Sequence, residues 1–358
     1  MIFRRATAAM ALNSVGTVGT AEKDPSSTQR PRLRLRRLLV QVALGTLVGA
    51  GLVILGLKQV SLAEVGRALQ AAGPWHVTAA AAAAAGFILA RAWRYHALLF
   101  PTGWRALVRR PSRAFTTVTV ALASWGPGLI LPTPTADATF IWLAKTRLGV
   151  SIDRSATAVV LARLLDLSSL LLVGLLAAPL AGVRLPLMAR LGGGLAMAAL
   201  LAVLAGLLWA PTRRRLGRLL GRVPRVGRYV ERLEDGLADL AHSRSLVQLI
   251  LSTAAARLFT ALQYFALFTA LGLPLGFWQA WFVLSVRTLL LAIPVQGPAG
   301  LGTTQLWWVT ALLLLGIPTH TAIVAGLSVH LLDLVVSLSL AALGWVLLAL
   351  PRGHWRPD

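Results

Sequence analysis

Long apolar segments dominate this chain and decide what kind of fold it can form. A bilayer core of about 30 Å is crossed by roughly 20 helical residues. Segments of at least that length occupy residues 38–57, 75–98, 154–182, 187–209, 246–271 and 320–350. Charged residues make up only 13% of the sequence, against roughly 25% in a soluble domain. The sequence therefore predicts a polytopic integral membrane protein and excludes a soluble fold.

Two further apolar segments are interrupted. Residues 114–131 and 277–293 run into Pro and Gly, and each is followed by a shorter apolar piece, at 136–148 and 301–316. All of these segments are rich in Leu and Ala and lack the alternation of a membrane β-strand. The backbone N–H and C=O groups must therefore form their hydrogen bonds within helices. We expect an all-α membrane protein with about eight hydrophobic segments.

The positive charge of the chain indicates its orientation in the membrane. The formal net charge is +23, and the cations lie in short segments beside the spans. Basic stretches of this kind face the cytoplasm, so a nucleic-acid partner is not expected. We predict that a disordered tail (1–37), the segment 91–113, a loop with an amphipathic surface helix (211–245) and the tail 351–358 are cytoplasmic.

This orientation constrains the interrupted segments. If 114–131 crossed the membrane fully, the Arg-rich stretch 213–232 would lie outside, against the charge bias. We therefore predict that Trp125–Gly128 and Pro132–Pro134 interrupt a re-entrant hairpin, and that 277–316 forms a second one of opposite orientation. The resulting transmembrane domain, 38–350, has about six full spans and two hairpins in an inverted repeat. The alternative is eight ordinary spans with Pro kinks.

Charged side chains inside the spans are the best candidates for function, because they are costly in lipid. Arg163 and Asp166 share one face of a helix, Arg257 and Asp333 lie in later spans, and Arg287 lies in the second interrupted element. Three Arg against two Asp leave one positive charge for an anion such as a lipid phosphate, which Arg binds with two hydrogen bonds. The alternative for Arg163 and Asp166 is an internal ion pair that fixes helix packing.

The interrupted elements offer backbone N–H groups at the starts of short helices, where phosphate oxygens bind well. Asp137 is interpreted as a residue that caps such a helix, and His330 as a packing residue more readily than a proton carrier. The predicted headgroup-binding residues are Arg163, Asp166, Arg257, Arg287, Asp333, Thr133, Thr135, Gly300, Gly302 and Gln305.

Several kinds of site are not expected. The chain has no Cys, its His residues lack metal-ligand spacing, and Gly297–Gly302 has the wrong spacing for a dinucleotide site. We expect no metal, no cofactor and no catalytic residue.

The order of motifs resembles the lysylphosphatidylglycerol synthase transmembrane-region family, also called the flippase-like domain family. The resemblance covers roughly residues 38–350. The residues that carry it are Arg91-Ala92-Trp93-Arg94, Leu131-Pro132-Thr133-Pro134-Thr135-Ala136-Asp137, Leu148-Gly149-Val150-Ser151, Ala162-Arg163-Leu164-Leu165-Asp166 and Pro294 to Gln305. Ala136-Asp137 replaces a Gly-Glu of the family, Phe140 stands where an Arg often follows, and Gln305 replaces a Glu.

The resemblance implies a membrane domain that moves an anionic, aminoacylated or polyprenyl-phosphate-linked lipid between leaflets of the cell membrane. Lysyl transfer is not expected, because only a short tail follows residue 350. The expected partners are membrane lipids and a separately encoded lipid-modifying enzyme. The alternatives are a membrane-embedded lipid-linked transferase that uses Asp137, Asp166 or Asp333 as a base, and an accessory subunit of a separate lipid synthase.

Overall fold

A computed structural model of the protein shows an all-helical membrane fold. All residues that it describes belong to one compact unit, Leu44–Asp358. The described residues are 46–47, 49–51, 54, 58–100, 111–131, 135–208, 243–291 and 298–350. No strand occurs among them.

The helices follow the apolar segments closely. They are α1 (Leu62–Gln70), α2 (Pro74–Leu99), α3 (Pro111–Ile130), α4 (Thr135–Leu148), α5 (Ile152–Leu180), α6 (Leu187–Leu208), α7 (Ser243–Ala270), α8 (Phe277–Leu290), a 3₁₀ turn (Pro298–Gly300), α9 (Thr303–Leu313) and α10 (Thr319–Ala349). Within the described part of the chain, four stretches are long and apolar enough to cross a membrane, in α2, α5, α7 and α10. This confirms the prediction of a polytopic all-α membrane protein.

Several predictions fall outside the described residues. They are the tail 1–37, most of the segment 38–57, the loop 211–242, the tail 351–358, and Thr133 at the first interruption. The short helix α1 was not predicted from the apolar pattern. It begins at Ser61, whose hydroxyl accepts from the Glu64 backbone N–H while the Glu64 carboxylate accepts from the Ser61 N–H. Such a capping box fixes the start of a helix.

The first interruption lies later than the sequence predicted. Helix α3 continues through Trp125–Gly128 with Pro127 inside it, and ends only at Ile130. Proline removes one backbone hydrogen bond from a helix, but here it lies in the last turn. The Pro127 carbonyl accepts from the Leu131 N–H at 2.9 Å and from the Thr135 hydroxyl at 3.2 Å. The prediction that Trp125–Gly128 breaks the helix was therefore wrong.

Each interrupted element contains a helix too short to cross the bilayer alone. Helices α4 and α8 have 14 residues each and α9 has 11. At 1.5 Å per residue they are roughly 21 and 17 Å long, against a core of about 30 Å. Helix α3 packs on α4, and α8 packs on α9. These lengths and contacts agree with paired half-helices.

The same four-helix unit occurs twice. Helices α2 to α5 form the first half and α7 to α10 form the second, and corresponding helices make corresponding contacts: α2 packs on α3 as α7 does on α8, and α4 packs on α5 as α9 does on α10. Helices α2 and α7 lie antiparallel, because Gly86 lies against Phe259 whereas Arg94, further along α2, reaches back to Thr253. The two halves are therefore inverted relative to each other along this helix pair.

The hairpin of each half packs on the long helix of the other half. Helix α3 crosses α10 at small residues, where a Cβ on Gly126 would lie 2.9 Å from Ala341 and a Cβ on Gly344 would lie 2.6 Å from the Leu122 Cβ. Helix α8 approaches α5 in the same way, with Ser285 3.2 Å from the position of a Gly174 Cβ. Small residues allow helices in a membrane to approach closely, and here they join the two halves.

Candidate functional site

Asp166 is the centre of the first polar cluster, which consists of Arg94, Asp166, Ser169 and Arg257. It lies in the middle of α5, and Arg94 of α2 donates to both of its carboxylate oxygens at 2.9 Å. Arg94 is almost completely buried, with 1% of its surface exposed. A bidentate pair of this geometry is strong and directional, so it fixes α2 against α5.

Arg257 of α7 binds the same carboxylate. Its NH2 group donates to Asp166 Oδ1 at 2.6 Å and to the Asp166 carbonyl at 3.1 Å, and its Nε donates to Ser169 at 2.9 Å. Asp166 therefore connects α5 to α2 of the first half and to α7 of the second half. The sequence predicted that Arg257 and Asp166 belong to one site, and the structure brings them together.

Arg91 adds a further positive charge beside this cluster. It lies one turn before Arg94 on α2, and only 4% of it is exposed. Its guanidinium lies 4.7 Å from the ring centre of Trp125 and 5.3 Å from that of Tyr95. Its NH1 group is buried with no hydrogen-bond partner in the described residues. Arg91 thus adds a buried guanidinium on the same face of α2 as Arg94.

Asp333 is the centre of the second cluster, which consists of Gln263, Tyr264, Arg287, Trp308 and Asp333. Its carboxylate accepts from Gln263 Nε2 and from the Tyr264 hydroxyl, both at 2.8 Å, and from the Ser337 hydroxyl at 3.2 Å. These donors are neutral. Asp333 therefore does not neutralise Arg257, which is bound to Asp166 instead.

Arg287 of α8 lies in the second cluster without forming an ion pair in the described part of the chain. Its guanidinium lies 5.0 Å from the ring centre of Trp308 and 6.0 Å from that of Tyr264. Its buried Nε has no hydrogen-bond partner there. Aromatic faces stabilise a cation, but they leave its N–H groups available for an anion.

The second interruption lies close to this cluster. His330 Nε2 donates to the Ala299 carbonyl at 3.0 Å, which leaves Nδ1 as a buried acceptor without a described partner. The buried Gln305 Oε1 also lacks a described partner. Gly300 and Gly302 both have positive φ, and a Cβ on Gly302 would collide with the backbone of Gly49. The backbone of this turn therefore requires glycine.

Arg163 is placed differently from the sequence prediction. Its Nε and NH2 groups donate to the Asp137 carboxylate at 3.0–3.2 Å, and 53% of its side chain is exposed. The alternative of an Arg163–Asp166 ion pair was wrong, because each residue has other partners. Thr135 bonds to backbone carbonyls of the preceding turn. The predicted residues thus form two interior clusters and one peripheral pair, not a single common site.

Arg91 and Arg94 were missed as site residues because they close a span and were interpreted as cytoplasmic. An internal repeat would have revealed them. Asp166 and Asp333 each follow the first residue of their helix by fourteen positions, from 152 to 166 and from 319 to 333. Ala92-Trp93-Arg94-Tyr95-His96-Ala97-Leu98 likewise matches Ala261-Leu262-Gln263-Tyr264-Phe265-Ala266-Leu267. Arg94 therefore corresponds to Gln263.

No group of three or more metal-ligating side chains was found within the described ranges. The two clusters therefore offer hydrogen bonds and charge. Two Arg–carboxylate pairs hold the first cluster together. In the second cluster, Arg287 forms no ion pair with a described residue, and its buried Nε has no described partner.

Comparison with known proteins gave one result. A family model described as "Lysylphosphatidylglycerol synthase TM region" matches residues 42–342. No curated protein and no solved structure matched the chain.

Proposed function

Because the chain belongs to the lysylphosphatidylglycerol synthase TM region family, we propose that this membrane protein moves a phosphate-bearing lipid between the two leaflets. The proposed cargo is an anionic, aminoacylated or polyprenyl-phosphate-linked lipid. Its headgroup enters the second cluster, and its acyl or prenyl tails stay in the surrounding lipid.

The proposal is supported mainly by Arg287, whose guanidinium lies inside the protein without a carboxylate partner among the described residues. A guanidinium in a membrane interior is costly, yet Arg287 has no carboxylate within ion-pair distance in the described residues and keeps a buried Nε without a partner. A phosphate group satisfies both needs, because it carries negative charge and accepts two parallel N–H bonds from Arg. Trp308 and Tyr264 hold the guanidinium in place for this contact.

The two clusters have different roles in the proposed mechanism. Arg94 and Arg257 are already bound to Asp166, so the first cluster fixes the halves to each other. The second cluster lies next to the interrupted element Pro298–Gly302, whose glycines permit a change of backbone conformation. Interrupted helices in inverted repeats support alternating access around a central site. Movement of α8 and α9 would open the second cluster to either side.

Transport by the purified protein in vesicles tests the proposal. The vesicles contain phosphatidylcholine and fluorescent phosphatidylglycerol, and a membrane-impermeant quencher reports movement between leaflets. Wild type should accelerate movement over protein-free vesicles. Arg287→Gln should slow it roughly tenfold or more, since a hydrogen bond to a charged group contributes about 1.5–3 kcal/mol.

Arg113→Gln is the matched control. Arg113 also lies on an aromatic ring, 4.9 Å from that of Phe100, but belongs to neither cluster. Its loss should leave transport unchanged. If wild type moved neither phosphatidylglycerol nor a labelled polyprenyl phosphate, the proposed function would be wrong. Equal rates in wild type and Arg287→Gln would refute the site alone.

We also propose that the protein lies in the cell membrane with both termini in the cytoplasm and the two hairpins entering from opposite sides. The chain contains no cysteine, so single cysteines report accessibility without background. Lys145→Cys and Arg147→Cys, in the last turn of α4, should react with an impermeant maleimide only after the cells are opened. Labelling of intact cells at these positions would contradict the proposed topology.

The contacts do not favour the transferase alternative. Asp137 is bound to Arg163, Asp166 is bound to two guanidinium groups, and Asp333 accepts three hydrogen bonds. None of the three stands out as a general base. A separately encoded lipid-modifying enzyme remains the proposed partner, because such an enzyme would supply the lipid to be moved.

A further inference from the structure

We propose that Arg91 forms a second phosphate-binding site in the first half, at a different depth from Arg287. This inference rests on the proposed lipid movement and deepens it, because it divides the path of the headgroup into two successive binding sites. The site lies between α2 and α3 and contains Arg91, Tyr95 and Trp125.

The internal repeat relates the two sites. Tyr95 stacks on Phe140 with ring centres 3.9 Å apart, and Tyr264 lies 4.8 Å from Trp308. Phe140 and Trp308 each follow the first residue of their helix by five positions, from 135 to 140 and from 303 to 308. Each half therefore builds a corresponding aromatic pair, and each places one guanidinium over the Tyr of that pair. The helix that supplies the guanidinium differs, because α2 supplies Arg91 and α8 supplies Arg287. The second ring also differs, because Arg91 lies on Trp125 of α3 and Arg287 lies on Trp308.

Arg91 has unused hydrogen-bonding capacity. Among the described residues it forms one hydrogen bond, from NH2 to the Tyr95 hydroxyl at 3.5 Å, and its buried NH1 has no partner there. The neighbouring Arg94 also keeps a buried Nε without a partner. Each unpaired donor of this kind costs free energy when buried. A phosphate between these two side chains would bond to both and offset the excess of positive charge around Asp166.

The antiparallel packing of α2 and α7 puts the two sites at different depths. Arg94 lies level with Thr253, because its NH1 group is 3.5 Å from the Thr253 hydroxyl oxygen. Tyr264 is eleven residues further along α7, counted from 253 to 264, which corresponds to roughly 16 Å at 1.5 Å per residue. That is about half of a 30 Å bilayer core. One site therefore faces the leaflet nearer the end of α2, and the other faces the leaflet nearer the end of α7.

The number of bound phosphates tests this inference. The full-length protein in detergent is equilibrated with short-chain phosphatidylglycerol, and native mass spectrometry counts the lipids retained. Wild type should retain two at saturation. Arg91→Gln and Arg287→Gln should each retain one, with affinity for the lost position reduced roughly tenfold or more. The double variant should retain none, and Arg113→Gln should retain two.

A parallel titration with inorganic phosphate identifies the source of the ligand. Retention of the lipid without displacement by inorganic phosphate would show that the sites take a lipid headgroup. Displacement at the Arg91 position would show that this position takes free phosphate as well. Both results support a phosphate site at Arg91.

Other results overturn the inference. If wild type retains a single lipid and Arg91→Gln does not change that number, Arg91 is a packing residue, while the site at Arg287 and the proposed transport stand. Retention at the Arg287 position in Arg91→Gln also shows that this variant is folded. If wild type retains no lipid and moves none in vesicles, the proposed function itself fails.

Discussion

Asp166 in the first half and Asp333 in the second occupy the same position in corresponding helices, yet their surroundings carry different charge. Two guanidinium groups bind Asp166. Asp333 is held by an amide, a phenol and a serine hydroxyl, and Arg287 forms no ion pair with the residues that the structure describes. The same framework therefore holds one central carboxylate with two guanidinium groups and the other with neutral donors.

This difference explains why charge alone does not locate the proposed binding site. The first half holds more positive charge, but the partners of Arg94 and Arg257 are already in place. In the second cluster, Arg287 and Asp333 do not form an ion pair in the described part of the chain. A guanidinium that is not occupied by a protein carboxylate can bind and release a ligand without breaking an ion pair.

The largest expected effect is a loss of folding stability, and it distinguishes the two central aspartates, Asp166 and Asp333. Asp166→Asn leaves Arg94 and Arg257 without their carboxylate and should destabilise the protein by roughly 3–5 kcal/mol. Asp333→Asn removes a carboxylate held by neutral groups and should cost about 1–3 kcal/mol. Unfolding by denaturant in mixed micelles measures both. Equal losses would show that the two clusters are equivalent, against our interpretation.

A smaller effect is expected at the two corresponding tyrosines. Tyr264→Phe removes the 2.8 Å hydrogen bond to Asp333 and should cost about 1–2 kcal/mol. Tyr95→Phe removes only the 3.5 Å contact with Arg91 and keeps the stacking on Phe140, so its cost should be within about 0.5 kcal/mol. The same unfolding measurement compares them. A larger loss for Tyr95→Phe would reverse the assignment of roles.

The smallest effect is expected at Arg163. Its ion pair with Asp137 lies at an exposed position, and such pairs contribute about 0–1 kcal/mol. Arg163→Gln should therefore leave stability nearly unchanged and also leave lipid movement unchanged. A loss of transport with intact stability would return Arg163 to the headgroup site that the sequence predicted.

Apolar segment length and Pro–Gly interruptions predicted most helices of the fold to within a few residues. The prediction from sequence was wrong where a local helix-breaking signal was overridden by the rest of the fold. Pro127 resembles a break, but α3 continues through it to Ile130. For the candidate site, charge in spans predicted Asp166, Arg257, Arg287 and Asp333, which the structure places in two polar clusters. The sequence could not predict which Arg binds which Asp, because this depends on how α2, α5 and α7 pack against one another. Arg94 was missed because its distance from the end of the span suggested an interfacial position.

The exchange of hairpins between the halves has a consequence for how the protein is made. Helix α3 reaches its full packing only against α10, the last long helix in the chain, at Gly126, Ala341 and Gly344. Residues are synthesised from the N-terminus, so the first hairpin enters the membrane well before its partner exists. Until then its small-residue face must contact lipid or the insertion machinery. Truncation before α10 should thus leave the first half inserted but open to degradation.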